Sequence, residues 1–115
     1  MTERRVLLVD DDPDMTRLLA LNLEMAGGYQ VQSLNEPLEA VALAREFQPD
    51  VIILDMNMPS LSGAELAEQM ADDPELFKIP RLFLTGSAVD PGRSDQLQKP
   101  VKLADLLASI QAVLV

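Results

Sequence analysis

The sequence predicts an α/β domain in which a parallel β-sheet is covered by helices. Two short aliphatic runs, RVLLVD (5–10) and DVIILD (50–55), are apolar at consecutive positions, as expected of strands that are buried on both faces. Stretches with helical spacing of apolar residues separate the strand candidates, so strands and helices alternate along the chain. We expect the 115 residues to form one domain, 1–115, with its own core.

Two weaker strands and four helices complete the predicted order. YQVQSL (29–34) is one strand, and IPRLFLT (79–85) is another that carries its proline near the start, where a missing N–H is tolerated. The helices are predicted at 13–26, 37–47, 63–71 and 103–114. Gly27 supplies a stop for the first helix, and the pair Ser62 and Glu65 matches a capping box at the start of the third.

The connection after Thr85 breaks this alternation. Its sequence, GSAVDPGRSDQLQ, leaves few residues before Lys99, and part of it must form the last strand. Pro91 and Gly92 in its middle would interrupt a helix. We therefore predict a loop or a single turn in place of a helix, followed by a short edge strand at 96–98.

The composition excludes several classes of protein. A net charge of −10 argues against nucleic-acid binding, which relies on Lys and Arg. The absence of cysteine and histidine removes thiolate sites, the commonest zinc ligand and the commonest general base. No apolar run suits a membrane span, and the apolar stretch of MTERRVLLVD is too short for a signal peptide. We expect a cytoplasmic protein that binds neither nucleic acid nor membrane.

Three acidic residues end two of the predicted strands. Asp10 and Asp11 end the first strand, and Asp55 ends the third. In doubly wound sheets, ligands bind beyond the carboxyl ends of the strands, where the strand order reverses. Two carboxylates about 4 Å apart repel by roughly 4 kcal/mol at an effective dielectric near 20. Such a cluster favours a cation, and oxygen donors without histidine or cysteine favour Mg²⁺.

Asp12 is predicted to have a different role from the two acids before it. It directly precedes Pro13, a residue favoured at the first helical position, so Asp12 is interpreted as the N-cap of the first helix. Metal binding is the alternative for this residue. Asp14 is expected to be a solvated charge in the first helical turn.

The sequence resembles the receiver domain of two-component response regulators over essentially its full length. The matching positions are the acid pair Asp10–Asp11, Asp55 in LDMNMPSLSG, Thr85 and Lys99–Pro100. The resemblance implies a flavodoxin-like doubly wound sheet of five parallel strands in the order 2-1-3-4-5. It also implies that Asp55 is the phosphoacceptor, Thr85 a hydrogen-bond donor to the phosphoryl group, and Lys99 its countercharge.

The resemblance further implies a Mg²⁺-dependent phosphoryl transfer. The donor would be a phosphohistidine of a sensor histidine kinase or a histidine phosphotransfer protein, because this chain has no histidine. Mg²⁺ would be held by Asp11, Asp55 and the backbone carbonyl of Asn57, with Asp10 acting through a water. Asn57 and Ser87 occupy positions that influence phosphoryl lifetime in the family, although a solvated loop position explains them equally well.

The sequence departs from the family pattern after the fourth strand. Gln96 stands where receivers carry a switch aromatic, and Val101 stands where they often carry Phe. The run FLTGS partly matches a receiver subgroup that is marked by Phe-Ala-Thr-Gly-Tyr and has a flexible loop in place of the helix before the last strand. The usual output face and the usual switch are therefore not expected here.

Three functions are compatible with these residues. The first is a single-domain receiver without a DNA-binding output domain, or the receiver of a hybrid kinase, that acts as a relay, a phosphate sink or a switch for an unknown downstream protein. It would catalyse only its own phosphorylation and dephosphorylation. The second is a pseudo-receiver that binds a partner without phosphorylation. The third is a dehalogenase-type Mg²⁺ phosphatase that would use Asp10 and Asp12.

Overall fold

A five-stranded parallel sheet lies at the centre of the computed structural model, which describes residues 3–114. Its strands follow the order β2-β1-β3-β4-β5, as the resemblance implied. The strands are β1 (Arg4–Val9), β2 (Tyr29–Leu34), β3 (Val51–Asp55), β4 (Arg81–Thr85) and β5 (Gln96–Gln98). The order reverses between β1 and β3, so the switch point lies where the acidic residues end these two strands.

Helices cover both faces of the sheet. They are α1 (Pro13–Ala26), α2 (Ala40–Phe47), α3 (Gly63–Ala71) and α4 (Leu103–Leu114). Apolar residues of α1 and α4 share one core cluster with one face of the sheet, and those of α2 and α3 share the other. Among the helices described for residues 3–114, none is both long and apolar enough to cross a membrane.

The central strand β1 contributes to both core clusters. Val6 and Leu8 pack towards α1 and α4, whereas Leu7 and Val9 pack towards α2 and α3. All four side chains are fully buried. Because successive side chains of a strand point to opposite faces, a strand covered on both sides must be apolar throughout. This explains the unbroken run VLLV.

Most predicted elements are confirmed, and the differences lie at their ends. The predicted helix at 37–47 is wrong in its first turn, where Pro37–Glu39 forms a 3₁₀ turn before α2. There the amide of Ala40 bonds to the carbonyl of Pro37, the three-residue spacing that tightens a helix start. The fourth strand begins at Arg81 rather than Ile79, because the amide of Ile79 closes a turn onto Leu76.

The predicted loss of a helix between β4 and β5 is confirmed. Within the described residues, no α-helix lies between Thr85 and Gln96. The connection instead contains a turn in which the amide of Arg93 bonds to the carbonyl of Asp90, at 2.9 Å. The edge strand β5 follows, with the predicted bounds. The loop comprising residues 86–95 is called the β4–β5 loop below.

Candidate functional site

The switch point brings together the acidic residues that the sequence singles out. Val9 of β1 pairs with Leu54 of β3, so Asp10 and Asp55 emerge side by side at the carboxyl edge of the sheet. Carboxylate oxygens of Asp10, Asp11 and Asp55 lie within 4.8 Å of one another. Asp10 and Asp55 are buried, whereas Asp11 is exposed. The site is thus a buried acid pair with a third acid at its mouth.

Lys99 inserts a positive charge between the two buried acids. Its Nζ lies 3.0 Å from Asp10 Oδ2 and 3.1 Å from Asp55 Oδ1. Lys99 directly follows the edge strand β5, and its amide donates to the carbonyl of Thr85 at 2.7 Å. Two buried carboxylates therefore face one ammonium group, and with the nearby carboxylate of Asp11 the cluster has three acids and one base.

Burial changes the protonation of this cluster. It raises the pKa of Asp10 from its ordinary 3.8 to about 6, although the contact with Lys99 opposes the change. Burial by itself would lower the pKa of Lys99, but its contacts with Asp10 and Asp55 raise that pKa above its ordinary value. Lys99 therefore stays positively charged, and burial makes the ionisation of Asp10 costly.

Three of the site side chains are fixed by the same local device. In each case a side-chain oxygen accepts the amide N–H two residues further along: Asp10 Oδ1 from Asp12 at 3.0 Å, Asp55 Oδ1 from Asn57 at 3.3 Å, and Thr85 Oγ1 from Ser87 at 3.1 Å. These Asx- and ST-type turns end three neighbouring strands of the sheet. The backbone therefore restricts each side chain before any ligand is present.

Asp12 is the N-cap of α1, as predicted. Its side chain accepts hydrogen bonds from the amides of Asp14, at 3.1 Å, and Met15, at 3.3 Å. Its carboxylate is thus used by the helix start and does not join the three-acid cluster. Because a dehalogenase-type phosphatase would need Asp10 and Asp12 together, this arrangement argues against that alternative.

Comparison with known proteins identifies the family. A family model described as response regulator receiver domain matches residues 6–111. The chain belongs to this family. It is 36% identical to the protein PilH of Pseudomonas aeruginosa over 96% of this chain and 97% of PilH. It is also 36% identical to the transcriptional regulator RpaA of Synechocystis, but it spans only 48% of that protein.

Solved structures agree with this assignment. The chemotaxis protein CheY4 of Vibrio cholerae aligns with a TM-score of 0.87 and 29% identity, covering 97% of this chain and 99% of CheY4. The signal receiver domain of a histidine kinase from Syntrophus aciditrophicus aligns with a TM-score of 0.83 and 31% identity, covering 96% and 89%. Both a chemotaxis protein and part of a kinase thus share this receiver fold.

The receiver depends on a close contact that sequence reasoning missed. A Cβ added at Gly63 would lie 2.4 Å from the main-chain oxygen of Asp55. Only glycine therefore lets the first turn of α3 approach the end of β3. The amide of Gly63 also donates to the carbonyl of Met56, at 3.1 Å. The only signal in the sequence was a glycine at a helix start, a position where glycine is otherwise unnecessary.

The donors of the receiver site fit a hard divalent cation. All the side-chain donors are carboxylate oxygens, which suit Mg²⁺. Asp10 Oδ2 is buried and makes no well-aligned hydrogen bond to any described residue, although Lys99 Nζ lies near it. A buried acceptor in that situation gains from a cation. Asp11, exposed at the mouth, offers a further oxygen to an entering ion.

Proposed function

We propose that this receiver accepts a phosphoryl group on Asp55 from a phosphohistidine of a sensor histidine kinase or a histidine phosphotransfer protein. The observation that carries the proposal is Lys99 Nζ, which lies about midway between the buried carboxylates of Asp10 and Asp55. A cation held against an acid pair is suited to a reaction that adds negative charge at that place.

The transfer would proceed by attack of an Asp55 carboxylate oxygen on the phosphorus. The new O–P bond replaces the P–N bond of the donor, and the imidazole leaves with its electron pair. Asp10, Asp11, Asp55 and the main-chain carbonyl of Asn57 would hold Mg²⁺ beside the acceptor. A bound Mg²⁺ supplies charge neutralisation for the phosphoryl oxygens.

Lys99 and Thr85 would stabilise the product. Lys99 Nζ already contacts Asp55 Oδ1 and can pair with the added phosphoryl oxygens as a point charge. Thr85 ends β4, the strand that pairs with β3, and its buried hydroxyl can donate to the phosphoryl group. Asn57 and Ser87 lie two residues after the acceptor and after the threonine. There they would influence how long the phosphoryl group survives.

The phosphorylated receiver would act as a relay, a phosphate sink or a switch for a downstream protein in the cytoplasm. Its chemistry would be limited to its own phosphorylation and dephosphorylation. The net charge of −10 supports a protein partner rather than nucleic acid. The β4–β5 loop would change the output surface, since within residues 3–114 a loop and not an α-helix connects β4 to β5.

The proposal is tested by incubation with a small phosphodonor and Mg²⁺, followed by intact-mass measurement. We expect one added phosphoryl mass in the wild type, none in Asp55→Asn, and wild-type behaviour in Asp14→Asn, a matched change at an exposed acid of α1. Omission of Mg²⁺ should abolish the adduct. A wild-type chain that gains no mass with any donor would be a pseudo-receiver, and the proposal would be wrong.

A further inference from the structure

Asn35 links the end of β2 to the loop that carries the first acids of the site. It directly follows β2, and its Nδ2 donates to the main-chain carbonyl of Asp10 at 2.8 Å. The same Nδ2 donates to Thr16 Oγ1 in α1 at 3.0 Å. Both hydrogens of the amide group are therefore used, one on each side of the β1–α1 loop.

The side chain of Asn35 replaces a main-chain donor of the sheet. The pairing of β1 with β2 continues up to the amide of Asp10, which donates to the carbonyl of Leu34 at 3.1 Å. The next ladder bond would need an amide donor for the carbonyl of Asp10. The chain instead leaves the sheet towards the 3₁₀ turn at Pro37. Asn35 supplies the missing donor from its side chain, so the main chain of Asp10 is fixed at both its amide and its carbonyl.

Thr16 completes the connection on the helix side. Its side chain is 2% exposed, and its Oγ1 donates to the carbonyl of Pro13 at 3.1 Å while it accepts from Asn35. The hydrogen bonds run from Asn35 to Thr16 to Pro13, and separately from Asn35 to Asp10. They span the loop 10–13, from which the carboxylates of Asp10 and Asp11 project.

We infer that Asn35, acting with Thr16, is a positioning residue for divalent-cation binding at this loop. It touches neither the phosphoacceptor nor an expected metal donor atom, and it acts by holding the main chain of Asp10. Residues that orient metal ligands typically change metal affinity by 10–100-fold when they are removed. The inference rests on the proposed function only for its kinetic readout, because Mg²⁺ binding can be measured without phosphorylation.

The first test is a Mg²⁺ titration of the unphosphorylated full chain, followed by the NMR shifts of the amides of Asp11 and Asp12. We expect Asn35→Ala to bind Mg²⁺ about tenfold more weakly than the wild type, at the lower end of the range for such residues. Gln32→Ala is the matched control, since Gln32 is an exposed residue of β2 that carries the same amide group and lies three positions before Asn35. Wild-type affinity in Asn35→Ala, or an equal loss in Gln32→Ala, would overturn the inference.

The Mg²⁺ dependence of the phosphorylation rate distinguishes a positioning role of Asn35 from general damage to the fold. With a small phosphodonor, Asn35→Ala should need about tenfold more Mg²⁺ for half of its maximal rate, yet approach the wild-type rate at saturating Mg²⁺. A rate that stays low at saturating Mg²⁺ would contradict the inference. If wild-type Asp55 is not phosphorylated at all, the proposed function fails, and the NMR titration still decides the role of Asn35.

A second pair of variants covers the case in which Asn35→Ala does not fold. Thr16→Val removes the hydroxyl with little change of shape, whereas Thr16→Ser keeps it. We expect weaker Mg²⁺ binding in Thr16→Val and recovery in Thr16→Ser. Equal affinities in these two variants, or a wild-type chain that does not bind Mg²⁺, would show that the inference is wrong.

Discussion

The carboxyl ends of β1 and β3 and the nearby β4–β5 loop belong to the same sheet edge but are built differently. The acid site lies on two strands whose apolar residues are buried from end to end, and its side chains are bonded to their own turns. The β4–β5 loop is mostly exposed and is held by hydrogen bonds among its own residues. The difference teaches that the acceptor site rests on buried core strands, whereas the neighbouring surface is an exposed loop held by local polar contacts.

The side chain of Arg93 links the β4–β5 loop to strand β4. The guanidinium of Arg93 lies 6.0 Å from the centre of the Phe83 ring, which is only 8% exposed. Two hydrogen bonds, at 2.8 and 2.9 Å, hold Arg93 against the carboxylate of Asp95. Gln96, at the position of the usual switch aromatic, accepts the amide of Asp90 at 3.3 Å. The loop is thus tied to β4 and β5 by polar contacts rather than by a packed helix.

The largest expected effect is the pH dependence of the free energy of unfolding that the buried carboxyl group of Asp10 produces. Because folded Asp10 has a pKa of about 6 and the unfolded chain an ordinary 3.8, protonation stabilises the fold. In Mg²⁺-free buffer the free energy of unfolding should fall by up to about 3 kcal/mol as the pH rises from about 4 to about 6. Asp10→Asn should remove this slope, and Asp14→Asn should keep it. Urea unfolding at several pH values measures it.

The same pH window separates Asp10 from Asp73, a buried acid that forms an ion pair with Arg45. Arg45 holds the pKa of Asp73 below its ordinary 3.8, so the contribution of Asp73 to stability is present throughout that window and is lost only as the pH falls further. A stability that rises between pH 4 and pH 6 would contradict the account of Asp10.

The next effect tests the close contact beneath the acceptor. Gly63→Ala places a methyl group against the main-chain oxygen of Asp55, and should destabilise the fold by about 2 kcal/mol and slow phosphorylation. Gly86→Ala in the β4–β5 loop is the matched control, because its added Cβ meets nothing within 4 Å. Urea unfolding of both variants would sharpen the comparison. Equal destabilisation would show that the two regions are packed alike.

A smaller effect separates the acids of the DDD triplet. Asp12→Ala removes the cap of α1 and should cost about 1 kcal/mol of stability while leaving Mg²⁺ affinity nearly unchanged. Asp11→Asn should weaken Mg²⁺ binding and leave the stability nearly unchanged, because Asp11 is exposed and lies in the acid cluster. Thermal unfolding and Mg²⁺ titration of both variants provide the test. Loss of Mg²⁺ binding in Asp12→Ala would contradict the division.

The smallest effect is expected in the β4–β5 loop. Arg93→Ala uncovers the Phe83 ring, so the ring resonances should shift and the loop amides should exchange faster. The midpoint of urea unfolding should fall less than in Gly63→Ala, and Mg²⁺-dependent phosphorylation should persist. Arg17→Ala, at an exposed arginine of α1, is the control. A large loss of phosphorylation in Arg93→Ala would show that the loop belongs to the acceptor site.

Much of the fold could be predicted because its signals are local. The runs VLLV and VIIL require burial on both faces, and the helix bounds at 13–26, 63–71 and 103–114 follow from caps and apolar spacing. The 3₁₀ turn before α2 was missed, because its first residues carry the same apolar pattern as an α-helix. The missing helix was predictable since Pro91 and Gly92 interrupt any helical pattern.

The site was predictable in its acids but not in its supports. The resemblance implied the strand order that places Asp10 beside Asp55, and it also implied the role of Lys99. The contact of Gly63 with β3 depends on how α3 docks, and the bonds of Asn35 depend on where β2 leaves the sheet. Neither is a pattern along the chain, because both arise from long-range packing that one sequence does not display.

The most direct test of the account is the position of the phosphoryl group. After reaction with a small phosphodonor and Mg²⁺, borohydride reduction converts an aspartyl phosphate to homoserine, which peptide mass mapping can locate. We predict homoserine at position 55 in the wild type and no homoserine in the variant Asp55→Asn, which keeps Lys99. Homoserine at Asp10 or Asp12, or an adduct that persists in Asp55→Asn, would contradict the assignment of Asp55 as the acceptor.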